Sequence, residues 1–160
     1  MGYYSSWHIV CHVRPEYVSA VEHFLEHLEW PSPVPGFIAE WQQFLLKVGR
    51  TDVIYVYHYV PPQGCDNSCW GASNELSDKH IWTMKGSTKN YNKEIGVFLT
   101  RVLPHLSDDI QLCRLTNESR EEAHNEHKRL FPSDISDDDE WYASYTDAEL
   151  RKADYRDILT

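Results

Sequence analysis

Apolar and polar positions alternate along this chain in a way that predicts short strands separated by amphipathic helices. Residues 6 to 14, Ser-Trp-His-Ile-Val-Cys-His-Val-Arg, alternate imperfectly but are rich in β-formers, and Pro15 closes the run, so a first strand is expected there. From Glu16 to Trp30 the apolar residues Tyr17, Val18, Val21, Phe24, Leu25 and Leu28 recur at helical spacing, while Glu22, Glu26, Glu29 and two histidines fall elsewhere. That is the pattern of an amphipathic helix packed on a sheet. Pro31, Pro33, Pro35 and Gly36 stop it. Two apolar and aromatic runs follow, 37–48 and 52–60, and their separation by Gly49-Arg50-Thr51 predicts a β-hairpin. A long loop spans Pro61 to Asp78, and loops of such length are more often functional than idle. Beyond it the pattern predicts a strand over 79–86 and a helix over 90–103 with Tyr91, Ile95, Phe98, Leu99 and Val102 on one face, ended by Pro104. A short strand over 109–115 then places Ile110, Leu112 and Arg114 on one face and Gln111, Cys113 and Leu115 on the other.

A shift of 74 residues lays Tyr17, Val21, Phe24 and Leu25 over Tyr91, Ile95, Phe98 and Leu99, each set following a strand. Two strand-helix-strand units of this kind build an antiparallel sheet with two helices on one face. The fold class expected is therefore α+β, a ferredoxin-like two-layer sandwich with an added hairpin strand. The last 45 residues differ. Ser119-Arg120-Glu121-Glu122 is a capping box that starts a helix running to about Phe131, and Thr146-Asp147-Ala148-Glu149 is another before Leu150 to Leu159. Residues 133–140 between them read as a solvated linker. The domain division expected is a ferredoxin-like domain over 1–116 and an acidic helical extension, packed on it, over 117–160.

Composition narrows the classes of function. With 160 residues, 41% of them hydrophobic, the chain can bury one core without staples. No stretch approaches the roughly 18 apolar residues of a membrane span, and Met1 to Ser6 lack the basic start and apolar run of a secretion signal, so a cytoplasmic protein is expected. The net charge is −10, and residues 134–160 alone hold nine acids against Arg151, Lys152 and Arg156. An acidic chain with no basic stripe argues against duplex nucleic acid, whose backbone needs Lys and Arg. A basic partner protein suits the acidic tail better. The thin apolar stripe of the final helix also suits a homodimer.

Candidate chemistry is sparse. Cys11, Cys65, Cys69 and Cys113 are expected as free thiols in a chain large enough to fold without bridges, although Cys65 and Cys69, with His58 and His80, could form a zinc site of loose spacing. His23-Phe24-Leu25-Glu26-His27 matches the inverted zinc motif H-x-x-E-H, which makes His23 and His27 metal candidates for a metal-dependent hydrolase. Their helix face is opposite Val21 and Leu25, however, so solvent exposure is the plainer expectation. His124 and His127 form a further pair, and His105-Leu106-Ser107 is a lone H-x-S where paired acid-base work would need two copies. No G-x-S-x-G elbow, Walker loop or dinucleotide fingerprint is present. No catalytic residue is assigned. Aromatic content, at 13%, is the unusual quantity. Tyr55, Tyr57 and Tyr59 share a strand face at period two, and with Trp70 and Trp82 they predict an aromatic ligand pocket. Arg14, Arg50, Lys79 and Lys85 lie near predicted strand ends, and Arg14 and Lys85 would supply its positive charge.

Trp70-Gly71, then His80-Ile81-Trp82-Thr83-Met84, then Lys89-Asn90-Tyr91-Asn92-Lys93-Glu94-Ile95 with Phe98-Leu99, resembles small uncharacterised phage and plasmid proteins with a ferredoxin-like domain, over about a third of the chain. The resemblance implies that fold and a mobile-element origin, and transfers no catalytic residue. It favours an accessory that evades host defence. The function expected is non-catalytic binding: sequestration of a small nucleotide-like ligand or, as the alternative, an adaptor or inhibitor acting on a basic host protein.

Overall fold

The strand read from residues 6 to 14 forms and becomes the centre of the molecule. In the computed structural model, which describes residues 4–48, 73–89, 94–117 and 142–152, the order is β1 (Tyr4–Val13), α1 (Pro15–His27), α2 (Gly36–Lys47), β2 (Ser73–Leu76), β3 (Ile81–Lys89) and α3 (Glu94–Val97). A π-helical turn (Phe98–Val102) carries α3 into α4 (Leu103–Leu106), followed by β4 (Ser107–Asn117), β5 (Tyr142–Ser144) and α5 (Asp147–Lys152). The strands pair antiparallel in one five-stranded sheet, β2-β3-β1-β4-β5. The fold is thus α+β, an antiparallel sheet with several helices.

Period-two alternation divides β1 between two environments. Trp7, Ile9, Cys11 and Val13 are buried, whereas His8, Val10 and His12 are half-buried on the other face. Cys11 is in register with Trp82 and Ile9 with Met84 on β3, and Ile9 is opposite Cys113 and Trp7 opposite Leu115 on β4. The helices add Val21 and Phe24 from α1, Ile38, Trp41 and Leu45 from α2, and Phe98 and Leu99 from the π-helical turn to the same cluster. Trp41 meets Phe98 edge-on at 5.8 Å, joining α2 to that turn. Pro15 opens α1, where its missing N–H costs nothing. The helix ends at His27, earlier than Trp30, because Leu28 turns left-handed at φ 60° and donates its N–H to the Phe24 carbonyl at 2.7 Å.

Several sequence expectations are corrected here. Residues 37–48 do not form a hairpin strand. Ile38, Trp41, Phe44 and Leu45 are three or four apart, so one helical face buries all four, while Glu40, Gln43 and Lys47 stay exposed. The partner run 52–60 lies outside the described residues. Instead, β2 lies within the span read as a loop, and β5 extends the other edge of the sheet through β4. Pro104 does not end its helix: it sits in the first turn of α4, and the helical path continues to Leu106. In β4 the register shifts opposite Val10/Cys11 and again opposite His12/Val13, skipping Gln111 and Asp108. These irregularities put Ile110 on the buried face with Cys113 and Leu115, and leave Gln111 and Arg114 exposed. The capping box at Thr146 is formed: its N–H donates to Glu149 Oε1 at 3.0 Å, and the Glu149 N–H donates to Thr146 Oγ1 at 3.2 Å. The box at Ser119 and the linker 133–140 lie outside the described residues.

Candidate functional site

No described helix covers the second face of the sheet, and that face carries the polar side chains of β1 and its neighbours. His8 is in register with Lys85 on β3 and with Arg114 on β4. Adjacent strands are about 4.8 Å apart, so the row Lys85–His8–Arg114 spans roughly 10 Å, within reach of one phosphate-sized group above His8. Burial holds the His8 imidazole below its ordinary pKa, and the charges of Lys85 and then Arg114 add to the depression. A neutral imidazole between two cations offers one donor and one acceptor, and the row as a whole is electropositive in a chain of net charge −10.

The other end of this face is built around His12. Its Nδ1 is 2.7 Å from Asp108 Oδ1. Asp108 reaches it because it is the residue skipped by the β4 register, and the Ser107 hydroxyl fixes the irregularity by donating to the His12 carbonyl at 2.7 Å. A carboxylate on Nδ1 orients the ring. The His80 ring, on a residue with φ 65°, lies 6.4 Å from that of His12, centroid to centroid.

Of the pocket residues expected from sequence, Lys85 is exposed on this face. Arg14 is not beside it. Six residues separate Arg14 from His8, roughly 20 Å of strand, and Arg14 Nη2 instead approaches the Pro104 carbonyl at 3.4 Å. Trp82 points the opposite way: it is fully buried under the helices, and its Nε1 donates to Asn74 Oδ1 at 2.7 Å, so the ring packs the core and presents no stacking surface on the open face. Lys79 is exposed in the turn between β2 and β3. Tyr55, Tyr57, Tyr59, Trp70 and Arg50 lie outside the described residues, as do Cys65, Cys69, His58, His124 and His127. The lone H-x-S is divided between roles, His105 stacking on Phe37 at 5.2 Å and Ser107 bracing β4.

His23 and His27 stand with ring centroids 4.5 Å apart on the outer side of α1, and the His27 Nε2 to Glu26 contact is 3.9 Å. No group of three His, Cys, Asp or Glu side chains among the described residues is arranged to hold a metal ion. Cys11 and Cys113 are free, buried thiols, and burial pushes Cys11 up to about 12 and Cys113 higher still, which makes both inert. Among the described residues no helix is long and apolar enough to cross a membrane.

The sequence alone does not join His8 and Arg114 to Lys85, or Asp108 to His12. The signal for His8 and His12 is present in the alternation of β1, but the position of Asp108 depends on a register shift that no local pattern announces. Comparison with protein-family models, with curated proteins and with solved structures finds no match to the chain.

Proposed function

We propose that this protein is a non-catalytic binding protein that sequesters a small, phosphate-bearing, nucleotide-like ligand on the sheet face that no described helix covers, as a phage-type accessory acting against host defence. The observation that carries the reading is the Lys85–His8–Arg114 row, three side chains in register on adjacent strands with no described helix over them. Charge-assisted hydrogen bonds from Lys and Arg are the strong ones, and a single anionic ligand needs only local positive charge. The base-stacking part of the proposal rests on the sequence pattern of Tyr55, Tyr57 and Tyr59, which lie outside the described residues. A ferredoxin-like arrangement is the finer reading of the fold. The partial order β2-β3-β1-β4, with helices between β1 and β2 and between β3 and β4, supports it. So does the burial of Val21 and Phe24 at the offset of 74 from Ile95 and Phe98. In the adaptor alternative the acids of the tail would meet a basic partner; Asp147 is engaged with Ile110 and Arg151 and Glu149 with Thr146, and the other seven acids of 134–160 lie outside the described residues.

Calorimetric titration with nucleoside mono- and diphosphates beside the parent nucleosides tests the assignment. Phosphate-dependent binding is expected, weakened about tenfold, or about 1.4 kcal/mol, by Lys85→Ala or Arg114→Ala. Equal binding of nucleosides and nucleotides, or none by either, would remove the assignment.

A further inference from the structure

A cavity of about 620 Å³ opens on the helical side of the molecule, lined by Ala39, Glu40, Gln43, Phe44, Lys47 and Arg101. Its volume lies in the roughly 300–1,000 Å³ range of small-molecule sites. One wall is the outer face of α2, where Glu40, Gln43 and Lys47 recur at helical spacing, and Phe44 gives it an apolar patch. Arg101 comes from the π-helical turn. Its neighbours Phe98, Leu99, Thr100 and Val102 are buried, and the Thr100 hydroxyl satisfies itself on the Gly96 carbonyl at 2.9 Å. Arg101 alone in that turn is half-buried at the rim. Its Nε is buried and has no hydrogen-bond partner among the described residues.

A guanidinium cannot relieve such a position by losing its proton, and a buried donor left unmade is costly, more so on a charged group. The same guanidinium lines the cavity, where its other N–H donors can take an acceptor. A π-helical turn, rare in folded proteins and frequent at functional sites, is the local feature that places this side chain at the cavity. We propose that the cavity binds a small organic carboxylate, its two oxygens taken by the Arg101 fork and its apolar part resting on Phe44 and Ala39. Lys47 adds positive charge. Glu40 on the same wall disfavours a dianion, so a monocarboxylate is selected over a phosphate monoester. The site is separate from the Lys85 row and does not depend on it.

Titration of the full chain, followed by NMR, with phenylacetate, its neutral counterpart phenylacetamide and phenyl phosphate tests this. Phenylacetate is expected to bind with the amide and the phosphate clearly weaker. Arg101→Gln should weaken phenylacetate at least about tenfold, as loss of a charged hydrogen bond does, and Lys85→Ala should leave it unchanged. Ala39→Phe, which fills the cavity from an exposed helical position, should also abolish binding and decides the matter if Arg101→Gln does not fold. Equal affinity for the amide, undiminished binding by folded Arg101→Gln or by Ala39→Phe, or no binding of phenylacetate at millimolar concentration would each overturn the proposal.

Discussion

Two sets of basic side chains on this acidic protein meet opposite fates. At the junction of α4 and β4, Arg151 donates through Nη1 to the Pro104 carbonyl at 2.7 Å and through Nη2 to the Ser107 carbonyl at 2.8 Å, while Asp147 holds the same guanidinium from one helical turn away. Helix ends leave carbonyls without intrahelical partners, and Arg151 supplies donors there. Asp147 in turn accepts the Ile110 N–H at 2.8 Å, so α5 is fastened to the start of β4 on both sides. On the sheet face that no described helix covers, Lys85 is exposed and makes no ion pair among the described residues. A net charge counts these cations alike. Their surroundings separate them: Arg151 is tied into the fold by backbone carbonyls and Asp147, and Lys85 stands exposed on its strand.

The largest expected effect separates the two sets directly. Arg151→Ala leaves two backbone carbonyls and the Asp147 carboxylate short of a donor and should cost about 2 kcal/mol, whereas Lys85→Ala should stay within about 0.5 kcal/mol of wild type. Urea midpoints at unchanged slope measure both. Equal losses would erase the distinction. A smaller effect is expected one turn earlier, at the cap that positions Arg151. Thr146→Ala removes the hydroxyl that accepts the Glu149 N–H and should destabilise by about 1 kcal/mol, with Thr146→Ser recovering most of it.

What was legible in the sequence follows the same division between local and long-range causes. The α1 helix and the Thr146 cap are written in spacings of three and four residues, and both form. In α2 the same spacing was present from Ile38 to Leu45, but aromatic richness and Gly49-Arg50-Thr51 favoured a hairpin reading. A strand there would have set Ile38 and Trp41 on opposite faces, and burial of both in one core decides for the helix. Short edge strands escape pattern reading altogether. Ser-Asn-Glu-Leu has one apolar residue, and β5 is three residues long, so pairing with β3 and β4 defines them. In the candidate site, Lys85 was legible as a cation near a strand end. Its grouping with His8 and Arg114 required the strand order, and the pairing of His12 with Asp108 required the register shift.

Acid should weaken the α5 fastening specifically. The hydrogen bond from Arg151 holds the Asp147 carboxyl below its ordinary pKa, helped by the Ile110 N–H and the charges of Arg151 and Arg14, against a burial effect that acts upward. Since the folded value lies below the unfolded one, the carboxylate stabilises the fold fully above about pH 4 and loses that contribution as pH falls through the folded value. Wild type should therefore lose more stability than Asp147→Asn between about pH 5 and about pH 2, and the two should converge in acid. Parallel stability curves would show that Asp147 is not held by these partners.

The smallest effect concerns His8 and bears on whether the Lys85–His8–Arg114 row acts as a unit. Burial first, then Lys85, then Arg114, depresses its pKa below 6.5. The neutral ring is thus the folded form, and its contribution to stability is present above about pH 6.5 and declines as pH falls toward the folded value. Lys85→Ala removes the second cause and leaves the first, so the His8 resonance in an NMR titration should move part of the way back toward 6.5. A bound phosphate should move it in the same direction by placing negative charge beside the ring, and binding should therefore tighten as pH is lowered. If His8 titrates at its ordinary value in wild type, or does not respond to loss of Lys85, the two side chains do not share an electrostatic environment and the row cannot hold one anion between them.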